Sequence, residues 1–115
     1  MSDIKDLTNK IKQFRDERNW SQFHNHKDMA LSLVLEAAEV LEHFQWKNNE
    51  KIEEYIKAHK DDIGEELVDV LYWVLLMAND LDLDITKAFD KKMEKNSKKY
   101  PIDKSKGSAA KYNQL

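Results

Sequence analysis

Between residues 63 and 78 the apolar side chains of Ile63, Leu67, Val70, Leu71, Val74, Leu75 and Ala78 return every three or four positions. That period is one face of an α-helix, and no alternating strand pattern runs through it. The stripe is wide, so the helix has to be covered by other elements of the fold. A second segment, from about Lys27 to Trp46, is apolar on nearly every face and belongs at the centre of an assembly. The chain has few residues with which to interrupt such helices: two glycines and one proline among 115 residues. Rich in Leu, Lys, Glu and Ala, it is predicted to be all-α.

The remaining elements follow the same period. Ile4, Leu7, Ile11 and Phe14 are spaced as one helical face behind Ser2, a suitable N-cap, and predict a first helix to about Arg18. NWSQFHNH (19–26) loses the period and reads as a loop, unusually rich in aromatic and imidazole rings. NNEKIEEYIKAHK (48–60) reads as a short connecting helix, followed by the long helix from about Asp61 to Leu81. Within the long helix Gly64 is a mild cost unless something approaches closely there. Asp84 can cap a last helix carrying Ile85, Ala88, Phe89 and Met93, which Pro101 stops. The expected organisation is one domain, 1–101, built of four main helices and a connecting helix, with a polar, mobile tail at 102–115. Two almost wholly apolar helices exceed what so small a bundle covers, so homo-oligomerisation is expected to complete it.

Several function classes fall away. Without cysteine there is no disulfide, thiolate metal site or thiol nucleophile, so a metal would need oxygen or imidazole ligands. The longest apolar run, VLYWVLLMA (70–78), is about half of what spans a bilayer, and MSDIKDL carries no secretory signal. No membrane partner and a cytoplasmic location are the expectation. Two glycines cannot build a Gly-rich phosphate loop or a G-x-S-x-G elbow. Eight lysines between Lys91 and Lys111 make the C-terminal part basic, but Asp90, Glu94 and Asp103 interrupt them. No nucleic-acid partner is expected; a steep salt dependence of DNA retention would argue otherwise.

The chemistry-bearing residues are four acids. Glu36 and Glu39, and again Glu66 and Asp69, stand three apart and so share a helix face. On the earlier helix a solvated stripe of Ser32, Glu36, Glu39 and His43 is an equally good reading. On the later helix the polar stripe through Asp62, Glu66 and Asp69 runs into Trp73 and Leu76, which a solvated face would not do. Acids leading to an aromatic wall describe a pocket, and Ala37 and Ala38 leave room for another helix to come near. Carboxylates converging there would raise one another's pKa unless a cation intervened, and Mg²⁺ is the natural hard cation. A di-iron site would want Glu-x-x-His, which is absent near both pairs.

EAAE (36–39) followed about 27 residues later by ELVD (66–69) resembles the MazG-like, all-α nucleoside triphosphate pyrophosphohydrolases. The likeness takes in NWSQFH (19–24), EHFQWK (42–47), LVDVLYW (67–73) and KMEKNSKKYP (92–101), roughly residues 14–101, and is nearest to the dCTP-pyrophosphatase branch and small single-domain bacterial relatives. It implies a helical bundle forming homodimers or homotetramers, and Mg²⁺-dependent hydrolysis of a (d)NTP between the α and β phosphates, with Mn²⁺ as a substitute. Glu36, Glu39, Glu66 and Asp69 match the metal-binding, catalytic acids. Trp20, His24, Trp46 and Trp73 match the nucleoside pocket, and Lys92 and Asn96 match groups that meet the phosphates. The sequence departs at Asn25-His26-Lys27, where relatives often carry a proline. The role implied is removal of damaged or surplus nucleotides, with dCTP or related dNTPs preferred.

The residue types suit that chemistry. Three tryptophans would ordinarily be core, yet each lies near a polar candidate: Trp20 by His24, Trp46 seven residues after Glu39, Trp73 four after Asp69. Stacking on such rings tolerates many bases, so discrimination would fall to edge hydrogen bonds from His24 or Gln22. His43 reads as a surface histidine, and Lys91, Lys95 and Lys98 as a solvated face. The rival reading is a non-catalytic, homo-oligomeric helical interaction module, in which Mg²⁺ changes neither melting temperature nor nucleotide binding.

Overall fold

A computed structural model describes residues 3–114, and these form helices and turns without a strand. Ser2, offered above as a cap, lies outside the described residues; the side chain of Asp3 caps α1 (Ile4–Glu17), accepting the Asp6 N–H at 2.8 Å. Asn19 then takes a left-handed conformation (φ 54°), which asparagine tolerates, and the loop makes one 3-10 turn at Ser21–Phe23. Asn25 caps α2 (His26–Glu42) through the Asp28 N–H at 2.8 Å. The helix ends four residues before the expected Trp46. Phe44 N–H bonds Leu41 and Lys47 N–H bonds Phe44, a three-residue spacing that winds residues 43–46 into tight turns.

The connecting helix and the long helix follow one another without a loop and meet at a kink, as expected near residue 60. α3 (Asn49–Asp80) runs for 32 residues and is kinked at His59, whose backbone is not helical (φ −127°, ψ 24°). Local competition accounts for the kink. The His59 ring stacks on Tyr55 at 4.0 Å and its Nδ1 lies 3.1 Å from the Tyr55 carbonyl, the acceptor that the helix would use itself. His43 is not a free surface residue: its Nδ1 and the Tyr55 hydroxyl share a hydrogen bond of 2.6 Å, tying the end of α2 to α3.

The chain divides into two compact units, one through Asp82 and one from Leu83. In the first, α1 and α2 both pack on α3. Among the described residues its fully enclosed apolar side chains are Met29 of α2 and Leu75, Leu76 and Ala78 of α3, so the core lies at the C-terminal end of α3. Within one chain the apolar α2 is incompletely covered: Leu31, Val34, Leu35 and Leu41 are exposed, as are Leu67, Val68 and Leu71 of α3. A Cβ added at Gly64 would meet nothing within 4 Å, so no neighbour among the described residues explains that glycine. The second unit holds α4 (Ile85–Lys99), capped by Asp84 as expected, then α5 (Ile102–Ser105) and a 3-10 turn at Tyr112–Gln114. Its tail is not featureless, for Tyr112 sets its ring edge-on to Tyr100 at 6.2 Å. No helix among the described residues is long and apolar enough to cross a membrane.

Candidate active site

The packing of α2 on α3 brings the two acidic pairs together. Glu36, Glu39, Glu66 and Asp69 each offer a carboxylate oxygen within 4.8 Å of the others. Glu36 and Glu66 are half-buried, and each turns in one oxygen, Oε2, that has no hydrogen-bond partner; Glu39 and Asp69 are exposed. Ala37 and Ala38 are themselves exposed, so they are not where the helices touch.

Like charges gathered this closely disfavour full ionisation. The Glu66 carboxyl is pushed up to about 7. The main cause is the adjoining Glu39 carboxylate, placed to take a hydrogen bond from protonated Glu66, followed by desolvation and the charges of Glu39, Asp69 and Glu36. Glu36 is raised too, chiefly by burial and then by Glu39 and Asp69. The group therefore lacks a positive charge. Mg²⁺, bonded to oxygens at about 2.1 Å, spans ligands up to about 4.2 Å apart, and a larger hard cation with bonds of about 2.4 Å spans up to about 4.8 Å. The all-carboxylate donor set and the orphaned inward oxygens suit a hard divalent ion, and the flexible side chains would draw in by about half an ångström to meet Mg²⁺.

Beside the acids lies a cavity of about 410 Å³, within the range of small-molecule sites, lined by Lys10, Ile11, Phe14, Trp20, His24, Asp69, Tyr72 and Trp73. Asp69 belongs to both cluster and cavity, so the two adjoin. Asp69, Tyr72 and Trp73 stand at i, i+3 and i+4 of α3 and so share its face. Opposite them, α1 contributes Phe14, and the loop after α1 contributes Trp20 and His24. The rings meet edge to face: His24 with Trp73 at 5.3 Å, Tyr72 with Trp73 at 5.1 Å, Phe14 with Trp20 at 5.7 Å. The Arg18 guanidinium covers Phe14 at 3.8 Å.

His24 Nδ1 is buried without a partner. Burial and then the Arg15 cation hold its pKa below the usual imidazole value, against the opposing charge of Asp80. A neutral imidazole keeps both a donor and an acceptor for a ligand edge. Burial raises the Tyr72 phenol above its ordinary value, with Arg15 and Arg18 opposing, so it stays a hydrogen-bond donor at neutral pH. Gln22 is otherwise engaged: its amide donates to the Asn19 carbonyl at 2.9 Å.

Of the residues singled out from sequence, the four acids form the cluster, and Trp20, His24 and Trp73 line the cavity with Asp69. Trp46 does not line it; it is 88% exposed on the turns after α2. Lys92 and Asn96 belong to the second unit. Lys92 lines an open groove with Ala88, Lys91, Glu94, Lys95 and Lys98, while Asn96 is half-buried on α4. The sequence reading missed Phe14 and Tyr72 as walls, Lys10 and Ile11 at the cavity, and the Arg15–Asp80 pair behind it. In the sequence Phe14 reads only as part of the apolar face of α1; its spacing from Lys10 (i+4) and Ile11 (i+3) is the available signal.

The profile of the MazG-like family matches residues 31–115, including all four acids. The chain belongs to the MazG-like family. Other likenesses agree with that membership. The chain is 34% identical to dCTP pyrophosphatase 1 of Rattus norvegicus over 114 residues, covering 97% of this chain and 67% of the relative. To dCTP pyrophosphatase 1 of Homo sapiens it is 32% identical over the same shares. A solved pyrophosphatase from Archaeoglobus fulgidus superposes with a TM-score of 0.81 at 34% identity, covering 88% of this MazG-like chain and 94% of that one.

Proposed function

We propose that this MazG-like chain is a nucleoside triphosphate pyrophosphohydrolase that cleaves (d)NTP to (d)NMP and pyrophosphate, with dCTP or a related dNTP preferred. The observation that carries the reading is the shared residue Asp69: four converging carboxylates open directly onto an aromatic cavity. A triphosphate is such a two-part ligand, an anionic chain attached to a flat base. The non-catalytic rival gives no reason for the acids and the rings to adjoin. The dCTP preference rests on relatives that carry the name dCTP pyrophosphatase 1.

In this reading Glu36, Glu39, Glu66 and Asp69 hold Mg²⁺, with Mn²⁺ able to substitute. Bound there, the ion would neutralise phosphate oxygens and make a water molecule more acidic. The chain's residues do the rest. A carboxylate oxygen not engaged with the ion takes the proton of the attacking water. Trp20 and Trp73 receive the base, each stack being worth about 1–3 kcal/mol by analogy with single-strand binders. His24, neutral and with a free ring nitrogen, reads the base edge. Lys92 and Asn96 meet the phosphate chain, and Trp46 reaches the nucleoside only through the oligomer.

The uncovered apolar faces of α2 and α3 support assembly into homodimers or homotetramers. Removal of surplus or damaged nucleotides in the cytoplasm is the role this activity would serve. Incubation with a panel of NTPs and dNTPs plus Mg²⁺ tests the reading: pyrophosphate should appear, and dCTP should rank first. Release of orthophosphate, or of nothing, would reject it.

A further inference from the structure

Arg15 is the one charged side chain among the described residues that is buried, at 7% exposure. Its Nη1 donates to Asp80 Oδ2 at 2.7 Å, and Asn79 Nδ2 donates to Asp80 Oδ1 at 3.1 Å. Among the described residues this is the one side-chain hydrogen bond that joins α1 to α3. It is a costly way to join two helices. A buried guanidinium and carboxylate both give up water, and an apolar pair of the same volume is often as stable or more so. Asp80 also stands in the last turn of α3, where the helix dipole disfavours an acid. What the pair supplies that an apolar contact does not is direction.

Its surroundings say what is being directed. Arg15 directly follows Phe14 of the cavity wall, and its own carbonyl accepts the N–H groups of Arg18 at 3.2 Å and Trp20 at 3.1 Å. Asp80 lies seven residues after Trp73, two turns along the same face of α3. The charges of both partners reach His24. Phe14 and Trp20 thus stand one short backbone link from the pair, His24 within reach of its charges, and Trp73 two turns along the helix that carries Asp80. The rings themselves meet edge to face, and the Arg18 guanidinium over Phe14 holds only the α1 side.

We propose that Arg15 and Asp80 are positioning residues for the nucleoside cavity: they fix the rotation of α1 on α3 and the closure of the 19–24 loop, and so set the spacing of the rings that receive the base. They touch neither substrate nor the acid cluster; Asp80 lies about 16 Å along the helix from Asp69. This inference rests on the pyrophosphohydrolase reading for the identity of the ligand, so its test uses two readouts. The first is binding of dCMP alone, followed by tryptophan fluorescence; the second is steady-state hydrolysis of dCTP with Mg²⁺.

The deciding variant is the double replacement Arg15→Met with Asp80→Leu, which removes both charges together and keeps the fold, as circular dichroism and melting should verify. If the pair positions the cavity, dCMP affinity falls and KM for dCTP rises, each roughly tenfold or more, while kcat stays within about twofold. Arg15→Lys, which retains a cation opposite Asp80, should stay much nearer to wild type than the double variant in both readouts. A folded double variant with wild-type dCMP affinity and KM overturns the proposal, and so does a loss confined to kcat. If wild type binds dCMP but releases no pyrophosphate, the activity reading fails and the positioning role is still decided by dCMP. If wild type does not bind dCMP, the cavity is not a nucleoside site and the proposal falls with it.

Discussion

Helix α3 carries two sets of acids under opposite electrostatic conditions. In its middle, Glu66 and Asp69 face Glu36 and Glu39 with no cation among them, and Glu66 is pushed up to about 7. At its end, Asp80 meets Arg15 and Asn79, and their hydrogen bonds hold its carboxyl below the usual value although burial opposes them. The contrast teaches what each set is for. Where the fold needs a fixed geometry, it supplies its own countercharge. Where carboxylates crowd one another in a half-buried group beside a cavity, the fold supplies no countercharge, and a bound proton or a cation is what can relieve them.

The sharpest way to break the comparison is to remove charge from the middle set. Glu39→Gln and Asp69→Asn are each expected to lower turnover by about 10²–10⁴, the usual scale for lost electrostatic catalytic contacts. Folding should not suffer, because each change relieves repulsion. Wild-type rates in folded variants would dismiss the assigned roles. The end set should respond in the reverse sense. Asp80→Ala leaves the Arg15 guanidinium buried and unpaired, and is expected to cost about 3–5 kcal/mol of stability by denaturant unfolding. A change under about 1 kcal/mol would mean that Arg15 finds water instead and that the two sets differ less than their surroundings suggest.

The middle set was legible in the sequence and the end set was not, for a physical reason. Spacing of three on a helix puts Glu36 with Glu39, and Glu66 with Asp69, on common faces whatever the tertiary fold. The intrusion of Trp73 and Leu76 into the polar stripe then marks a face that is not solvated; Leu76 is fully buried. Arg15 and Asp80 are 65 residues apart and each looks like a surface charge in its own helix. Only the packing of α1 on α3 pairs them. Helix types and the cap Asp84 are local properties, which is why the all-α organisation could be read early. The break between the connecting segment and the long helix falls at one ring, His59, which competes for its own helix's carbonyl. Periodicity reports that the faces of α2 need covering, not which chain covers them, and within one chain Leu31, Val34, Leu35 and Leu41 are left exposed.

A divalent ion should separate the two sets at intermediate scale. With Mg²⁺ at about one hundred times its dissociation constant, the folded chain gains about 2.7 kcal/mol, seen as a raised Tm. The gain should vanish in a variant carrying both Glu39→Gln and Asp69→Asn and persist in Arg15→Lys, where the acids are untouched. Equal protection of all three proteins would place the ion elsewhere.

The smallest effect expected is on the pH dependence of stability without metal, and it carries a sign. A carboxyl whose pKa is higher in the folded than in the unfolded chain binds its proton more tightly when folded. Stability therefore falls as pH rises from about 4.5, the ordinary value, through about 7 for Glu66. Asp80 works the other way: its pKa is lowered on folding, so its contribution is present above 3.8 and is lost as acid titrates the folded carboxylate. His24 also acts in part of the Glu66 window, because its lowered pKa makes the folded chain lose stability as pH falls below 6.5. Comparing Tm of wild type and Glu66→Gln in chelator, between pH 5 and 7.5, removes that common term. Wild type should lose stability relative to Glu66→Gln as pH rises, and Mg²⁺ should abolish or reverse the difference. A flat difference in chelator would mean that the acids do not crowd one another in solution, and the contrast along α3 would lose its electrostatic basis.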